Sequence, residues 1–237
     1  AFTYYNGTSE YLDDKSLPPS SEDRIRALRL GASYDWYDAY GGKNLLKAEL
    51  SQGLDIMGAS SESRLNPSRE QGETDFTKLQ VDAQRIQDLS GLMPGLNLYL
   101  AGSAQTAFGQ RLLSPEQFGV GGSEFGRGYD PSEITGDSGI ALKTELQYNH
   151  VHAFNDYAVP TQYYGFWDAG KVWSEEPTWV RSESLSSAGF GARINVFKDT
   201  YVSPEVAFPL TRSVSARELD DDNGKAPRFY INFLKLF

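Results

Sequence analysis

The sequence contains no cysteine among its 237 residues, so it has no disulfide bond, no thiolate metal site and no cysteine nucleophile. It also lacks a long hydrophobic run, and nowhere approaches the roughly 18 to 20 continuous apolar residues that a membrane-spanning helix requires. Acidic residues outnumber basic ones, and the net charge of −10 disfavours a nucleic-acid partner, which needs clustered Lys and Arg. A helical membrane protein and a nucleic-acid-binding protein are therefore not expected.

The chain has no linker rich in Pro or Ser and no change of composition, so the sequence predicts one domain over residues 1–237. It opens on Ala1-Phe2-Thr3-Tyr4-Tyr5, which has the character of a strand and lacks the basic and apolar regions of a signal peptide. We therefore expect that further residues precede this segment in the natural protein.

Alternation of apolar and polar residues places successive side chains on opposite faces of a strand, and it recurs in about ten segments. Leu28, Leu30 and Tyr34 would share one face of such a segment, with the polar residues between them on the other. The predicted strands lie at 1–5, 28–36, 46–56, 78–84, 96–103, 140–147, 163–173, 189–196, 201–210 and 228–237. Because soluble sandwiches and transmembrane barrels both alternate, this pattern alone leaves both open.

The predicted connections alternate between long and short. Long connections lie near 6–21, 57–74, 108–137 and 210–226, and the short turns are Tyr40-Gly41-Gly42, Gly91-Leu92-Met93-Pro94 and Lys198-Asp199-Thr200. Long loops on one side and short turns on the periplasmic side are typical of outer-membrane barrels. The stretch 150–160 is the exception, because it is longer than a periplasmic turn should be.

The last predicted strand places Phe229, Ile231, Phe233 and the final Phe237 on one face. A terminal aromatic residue resembles the assembly signal of many outer-membrane barrels. Lys235 interrupts this face, but near the edge of a bilayer a lipid-facing Lys costs only about 0 to 1 kcal/mol. The alternative is a soluble strand that happens to end in Phe.

Aromatic residues fall towards the predicted strand ends, which indicates girdles at the two membrane interfaces. The alternative is the ordinary preference of Tyr and Trp for strands. The residues concerned are Tyr4, Tyr5, Trp36, Tyr37, Tyr163, Tyr164, Trp167 and Trp173.

The most distinctive segment is 113–130, which contains Gly121-Gly122, Glu124 and Arg127-Gly128-Tyr129. It resembles the sixth-loop signature of the superfamily that unites barrel-assembly factors with two-partner-secretion transporters, an Arg-Gly-Tyr or Arg-Gly-Phe turn after Gly-Gly. The flanking Ser-Pro-Glu-Gln-Phe at 114–118 and the residues 136–146 resemble the haemolysin-activator type of transporter. A second family motif, Phe-x-Asp-x-Gly, is present as Phe166, Asp168 and Gly170. One departure is Gly126, where the family usually has a β-branched residue.

This resemblance covers essentially the whole chain. It implies an all-β fold, namely about the last ten strands of a sixteen-stranded transmembrane antiparallel β-barrel with a long lumen-entering loop. The first strands and the periplasmic domains would lie outside this segment. The motif residues Arg127, Gly128, Tyr129, Phe166, Asp168 and Gly170 would then control conformation and transport, with Gly121, Gly122 and Glu124 flanking them in the loop.

The function implied by the resemblance is two-partner secretion. A pore in the outer membrane of a Gram-negative bacterium would move a large partner protein, such as a β-helical adhesin or haemolysin, from periplasm to cell surface. The partner's own folding outside the cell would supply the energy in place of ATP. Outer-membrane lipid would be the other partner, and neither catalytic residues nor a cofactor are expected.

Strand parity and the length of the loop link the two motifs. Asp168 and Trp167 face opposite sides of their strand, so if Trp167 meets lipid, Asp168 points into the lumen. The glycine-rich loop is long enough to fold back into a barrel, where Arg127 would meet Asp168 in a bidentate ion pair. A single, partly solvated pair contributes about 1 to 3 kcal/mol and is weak enough to be released, which predicts a gate. The alternative is a pair that only positions the loop during barrel folding.

Three other functions remain open: a barrel-insertion factor of the same superfamily, a passive diffusion porin and a soluble β-sandwich binding module. The Ser-Pro-Glu-Gln-Phe flank and the form Phe-Trp-Asp-Ala-Gly favour secretion over insertion, and a plug loop argues against a porin.

Other candidate sites are weaker. His150 and His152 share one strand face, but a third ligand at a telling distance is missing, so no metal is predicted. The glycines at 119–122 match neither a dinucleotide fingerprint nor a phosphate loop. Two His without a nucleophile elbow do not make a hydrolase. The acidic runs Glu175-Glu176 and Asp220-Asp221-Asp222 are expected to be solvated.

Overall fold

The computed structural model describes residues 1–9, 21–60, 67–154, 157–175, 181–197, 200–211 and 226–236. Ten strands form one antiparallel sheet in which spatial order follows chain order. They are β1 (Phe2–Ser9), β2 (Ser21–Tyr37), β3 (Gly42–Gly53), β4 (Thr77–Asp88), β5 (Leu96–Thr106), β8 (Ser138–Phe154), β9 (Tyr157–Trp173), β10 (Ser182–Phe197), β11 (Thr200–Pro209) and β12 (Arg228–Lys235). Within the described ranges, no helix is long and apolar enough to cross a membrane.

The two faces of the sheet differ in polarity as the alternation predicted. We call the face with exposed apolar side chains the outer face; it carries Leu28, Leu30, Tyr34, Leu46, Leu50, Ile140, Leu142, Leu146, Trp167, Phe190, Phe229, Ile231 and Phe233. The opposite, inner face carries buried polar side chains, including Ser51, Lys78, Ser103, Gln105, Glu145, Gln147, Asp168 and Ser187. A soluble sandwich buries its apolar face, whereas a barrel wall exposes it to lipid and keeps polar groups inside. The pattern is that of a transmembrane barrel wall.

The strand ends confirm the alternation of long and short connections. Long loops follow β1, β3, β5 and β11, and short turns follow β2, β4, β8 and β10, whereas the connection 174–181 after β9 is of intermediate length. The predicted turn residues Lys198 and Asp199, the acidic residues Glu176 and Asp220 to Asp222, and the terminal Phe237 lie outside the described residues.

Two predicted connections are wrong in length. β8 and β9 pair without interruption from Ser138 with Trp173 to Phe154 with Tyr157, so 150–160 is not a long turn. The first loop is also shorter than predicted, because β1 pairs with β2 as far as Ser9 opposite Ser21. In both places backbone pairing continues beyond the segment where apolar and polar side chains alternate.

The outer face has an aromatic cluster beside the β8–β9 turn. His152 Nε2 lies 2.9 Å from the Tyr163 hydroxyl, and the ring centroids of His150 and His152 are 4.6 Å apart. His150 and His152, for which the sequence predicted no metal, therefore lie among aromatic side chains on the outer face. Tyr164 does not belong to a girdle, since it lies on the inner face and is 5% exposed.

Residues 107–137, which we call the long loop, join β5 to β8. They contain a single 3₁₀ turn (Ser114–Glu116) and two short strands, β6 (Phe118–Val120) and β7 (Ile134–Gly136), which pair with each other. The loop packs against the inner face, and the main buried cluster combines loop residues with wall residues: Phe118, Val120, Tyr129 and Ile134 with Ala141, Val172 and Leu185. The core therefore lies between the loop and the barrel wall.

Candidate functional site

Arg127 lies where the long loop meets the inner face, and only 3% of it is exposed. Its Nε and Nη2 donate hydrogen bonds to Oδ2 and Oδ1 of Asp168 on β9, each at 2.8 Å. The backbone N–H groups of Gly126 and Arg127 donate to the same Oδ2 at 3.3 and 3.2 Å. Asp168 is fully buried, so the loop supplies a bidentate ion pair and two amide bonds to one carboxylate of the wall.

Two further carboxylates meet the same guanidinium. Nη1 of Arg127 donates to Glu145 on β8 at 2.6 Å and to Glu205 on β11 at 3.1 Å. The expectation of a single, partly solvated pair is therefore wrong, because Arg127 is buried and joins carboxylates on three strands. The sequence signal for Glu145 was its place on the polar side of an alternating strand, but nothing marked it as a partner of Arg127.

Neighbouring side chains hold this cluster. The Arg127 guanidinium carbon lies 3.5 Å from the centroid of the Phe166 ring, a cation–π contact. Arg193 donates to Glu145 at 3.1 Å, and the Tyr164 hydroxyl donates to Glu205 at 2.8 Å. Two guanidinium groups thus face three carboxylates.

The charges also fix the protonation of Arg127. Burial opposes its charged form, but the hydrogen bonds and charge of Asp168, together with Glu205 and Glu145, raise the pKa of Arg127 above its usual value. The Arg127 guanidinium therefore stays positively charged inside the cluster.

The next two residues of the turn fit closely against the wall. A Cβ on Gly128 would lie 2.9 Å from the Ser187 Cβ and 2.9 Å from the Pro209 nitrogen, so a side chain here would push the loop off the wall. Tyr129 is 1% exposed, and its hydroxyl accepts a hydrogen bond from the Thr211 N–H at 3.0 Å. Both residues seat the turn that carries Arg127.

The remaining glycines serve the same contact. A Cβ on Gly170 would lie 2.5 Å from Cγ1 of Val120, so β6 lies directly on β9 because position 170 lacks a side chain. Gly121 and Gly122 have φ angles of 129° and 82°, which other residues rarely adopt.

Glu124 is placed differently from the other motif residues. It is exposed and lines a cavity of about 310 Å³ whose other charged residues are Lys47, Asp82 and Lys143. Lys143 donates to the Ser123 carbonyl at 2.9 Å. The structure therefore brings Glu124 to the edge of the loop and not into the Arg127 cluster.

The first part of the long loop has its own anchor. Glu116, in the Ser-Pro-Glu-Gln-Phe segment, is 4% exposed and pairs with Arg29 on β2 at 2.6 Å and with Lys78 on β4 at 2.8 Å. The loop is therefore held to the inner face at both its first part and its tip.

A further buried ion pair joins the loops to one another. Asp137 is fully buried and accepts hydrogen bonds from both terminal nitrogens of Arg69, in the β3–β4 loop, with Nη2 to Oδ2 at 2.9 Å. It also accepts the N–H groups of Leu112 and Glu175, each at 2.8 Å. One carboxylate thus connects the loops that follow β3, β5 and β9. Sequence reasoning missed this role, although Asp137 stood within a flank that resembled the family.

Asp137→Asn is expected to loosen these loops without unfolding the barrel. The change keeps the size of the side chain but removes the charge that Asp137 offers Arg69, and breaking a buried ion pair costs about 3 to 5 kcal/mol. Protease added to the purified protein should cut the loops faster than in the unaltered protein.

The matched control is Asp130→Asn. Asp130 also lies in the long loop, and its carboxylate forms an exposed pair with Arg228 at the start of β12. Such a pair contributes about 0 to 1 kcal/mol, so its cleavage rate should stay nearly unchanged. Equal rates for the two variants would show that Asp137 does not hold the loops together.

Comparison with known proteins gives the following matches. The family model for haemolysin secretion/activation protein ShlB/FhaC/HecB matches residues 2–194. Among solved structures, CdiB from Escherichia coli is similar with a TM-score of 0.70 at 20% sequence identity, over 90% of this chain and 37% of the CdiB chain. At this identity the similarity shows a shared barrel fold. The chain spans about 37% of the length of CdiB. The comparison with curated proteins gives no match.

Proposed function

We propose that this chain forms part of a pore that passes a partner protein across the outer membrane. The chain belongs to the haemolysin secretion/activation family ShlB/FhaC/HecB. The family is one of two-partner-secretion outer-membrane transporters. The observation that carries the proposal is the long loop, which is fastened to the inner face by the buried contacts of Arg127.

This contact suits a loop that is held and then released. In the held state each charge of the cluster has a counter-charge, so no buried ion is left alone. When the loop leaves, water can enter the polar inner face and hydrate Asp168, Glu145 and Glu205. Two states without an orphan charge are therefore accessible, as a gate requires. We assign Arg127, Gly128, Tyr129, Phe166, Asp168 and Gly170 to this conformational role.

The loops and the outer face support an orientation of the barrel in the membrane. The apolar outer face fits lipid, and the long loops fit the cell surface of a Gram-negative bacterium, with the short turns in the periplasm. A large secreted protein, such as a β-helical adhesin or haemolysin, would enter from the periplasmic side. Family membership supports this secretion over barrel insertion.

The test is to remove the loop tip in the full-length protein. Val120 and Ile134 pair directly, so residues 121–133 can be replaced by an Asn-Gly turn between them. We expect a several-fold rise in uptake of a large hydrophilic antibiotic and a loss of partner secretion, at barrel levels measured in the outer-membrane fraction.

The control is Glu124→Gln, which changes an exposed charge of the same tip outside the Arg127 cluster, and which should leave uptake and secretion unchanged. A passive porin gives another result: its small-solute flux is already high in the unaltered protein and needs no partner. Unchanged uptake and secretion after the deletion would overturn the proposal.

A further inference from the structure

A concave patch interrupts the outer face near the strand ends that join the long loops. Its floor is formed by Ala169 and Gly170 on β9, and its apolar side by Ile140 and Leu142 on β8. Lys171 on β9 and the hydroxyl-bearing Ser184, Ser186 and Thr211 complete the lining, and the volume of the patch is about 320 Å³. Small side chains on β9 and β10 thus leave a depression between bulky neighbours.

The patch carries a positive charge on the lipid-facing side of the wall. Lys171 is exposed and shares strand parity with the outward-facing Trp167 and Trp173. Its Nζ lies 5.3 Å from the centroid of the Trp173 ring, so the side chain extends towards the end of β9 that leads into a loop. Among the described residues, no carboxylate forms an ion pair with it.

Hydroxyl groups lie beside this ammonium. The strand register places Ser184 opposite Lys171 and Ser186 opposite Ala169. The Ser186 and Thr211 hydroxyls form a 3.4 Å hydrogen bond with each other, which leaves the Lys171 ammonium and the Ser184 hydroxyl to meet a ligand. Polar groups that face hydrocarbon are unfavourable unless a partner satisfies them. An ammonium with neighbouring hydroxyl donors matches the oxygens of a phosphate.

We propose that this patch binds a phosphorylated acyl lipid of the outer leaflet. An acyl chain lies along Ile140, Leu142 and Ala169, and the phosphate meets Lys171 and Ser184. The occupant has to be amphipathic because the lining combines apolar side chains on β8 with the Lys171 cation on β9 and a serine hydroxyl on β10. It has to come from the leaflet next to the long loops. In an outer membrane this leaflet consists largely of phosphorylated glycolipid, so lipid A is the expected ligand. The inference rests on the outer-membrane location proposed above.

The test uses the full-length protein, extracted from outer membranes in mild detergent, with bound lipid A and glycerophospholipid quantified by mass spectrometry. Lys171→Gln removes the charge, and Ser184→Phe fills the depression but keeps the lysine. Each should retain about tenfold less lipid A than the unaltered protein, because Lys171→Gln loses one charge-assisted contact and Ser184→Phe occupies the space of the ligand. Lys235→Gln, which removes an outward lysine at the opposite end of the sheet, should retain the normal amount.

Equal lipid A retention in Lys171→Gln and the unaltered protein would overturn the proposal. So would retention of glycerophospholipid alone, or thermal stabilisation by inorganic phosphate equal to that by lipid A, because the ligand would then not be the acylated phosphate of the outer leaflet. If the unaltered protein is missing from the outer-membrane fraction, the proposed location fails instead. The two failures are therefore distinguishable.

Discussion

Arg127→Ala is expected to abolish secretion of the partner protein from cells that still contain the barrel. The change leaves Asp168, Glu145 and Glu205 on the inner face without the guanidinium that contacts all three. Removing one member of a buried ion network costs about 3 to 5 kcal/mol. Because about 1.4 kcal/mol is tenfold in an equilibrium constant, the balance between held and released loop shifts by more than about a hundredfold. Secreted partner is measured by immunoblot and divided by the amount of folded barrel.

The matched control is Arg193→Ala. Arg193 also contacts Glu145 but belongs to β10 and not to the loop, so its removal should leave secretion nearly normal. Arg127→Lys should fall between, since Lys keeps the charge and loses the planar fork that pairs with Asp168. If Arg127→Ala and Arg193→Ala reduce secretion equally, the result reflects a general loss of charge and not the fastening of the loop.

The three carboxylates also change the outcome expected of a charge exchange. Arg127→Asp combined with Asp168→Arg would restore one ion pair. It would also place the new carboxylate at position 127 beside Glu145 and Glu205, which bind Arg127 in the unaltered protein. We therefore expect the double variant not to recover secretion.

The wall of the barrel was predictable because it depends on a local pattern. Leu30 and Trp167 are exposed on the outer face while Asp168 is fully buried on the inner one, as their alternation indicated. Strand ends were less predictable, as β8 and β9 show, because backbone pairing extends beyond the alternating segment.

The candidate site was predictable only where a motif marked it. The Arg-Gly-Tyr and Phe-x-Asp-x-Gly motifs pointed to Arg127 and Asp168, which the fold places in contact. Glu205 is 78 residues from Arg127, and Arg69 is 68 residues from Asp137. Alternation assigns Glu205 to a face of β11, but Arg127, Arg69 and Asp137 lie in loops and belong to no alternating strand. Which residues meet depends on the path of the long loop over the wall, which no local pattern contains.

A disulfide bond between the loop and the wall is expected to switch secretion off reversibly. A Cβ at position 170 would lie 3.2 Å from the Val120 Cβ, close to the separation of about 3.5 to 4.5 Å found in disulfides. The chain has no native cysteine that could pair wrongly. In cells carrying Val120→Cys with Gly170→Cys, oxidation should stop secretion and a reductant should restore it.

A second disulfide separates tethering to the wall from stiffening of the loop. A Cβ at position 119 would lie 3.0 Å from the Ser132 Cβ, so Gly119→Cys with Ser132→Cys joins two segments within the long loop. This disulfide does not tether the loop to the wall. This variant should secrete in both oxidised and reduced cells. Secretion by the single variant Gly170→Cys shows the effect of placing a side chain against Val120 without a disulfide. If the oxidised 120–170 variant secretes normally, the loop stays on the wall during transport, and Arg127 serves to position it during folding. If only that variant stops and restarts with reductant, displacement of the loop from β9 is a step of transport, because the two disulfides differ only in what they hold.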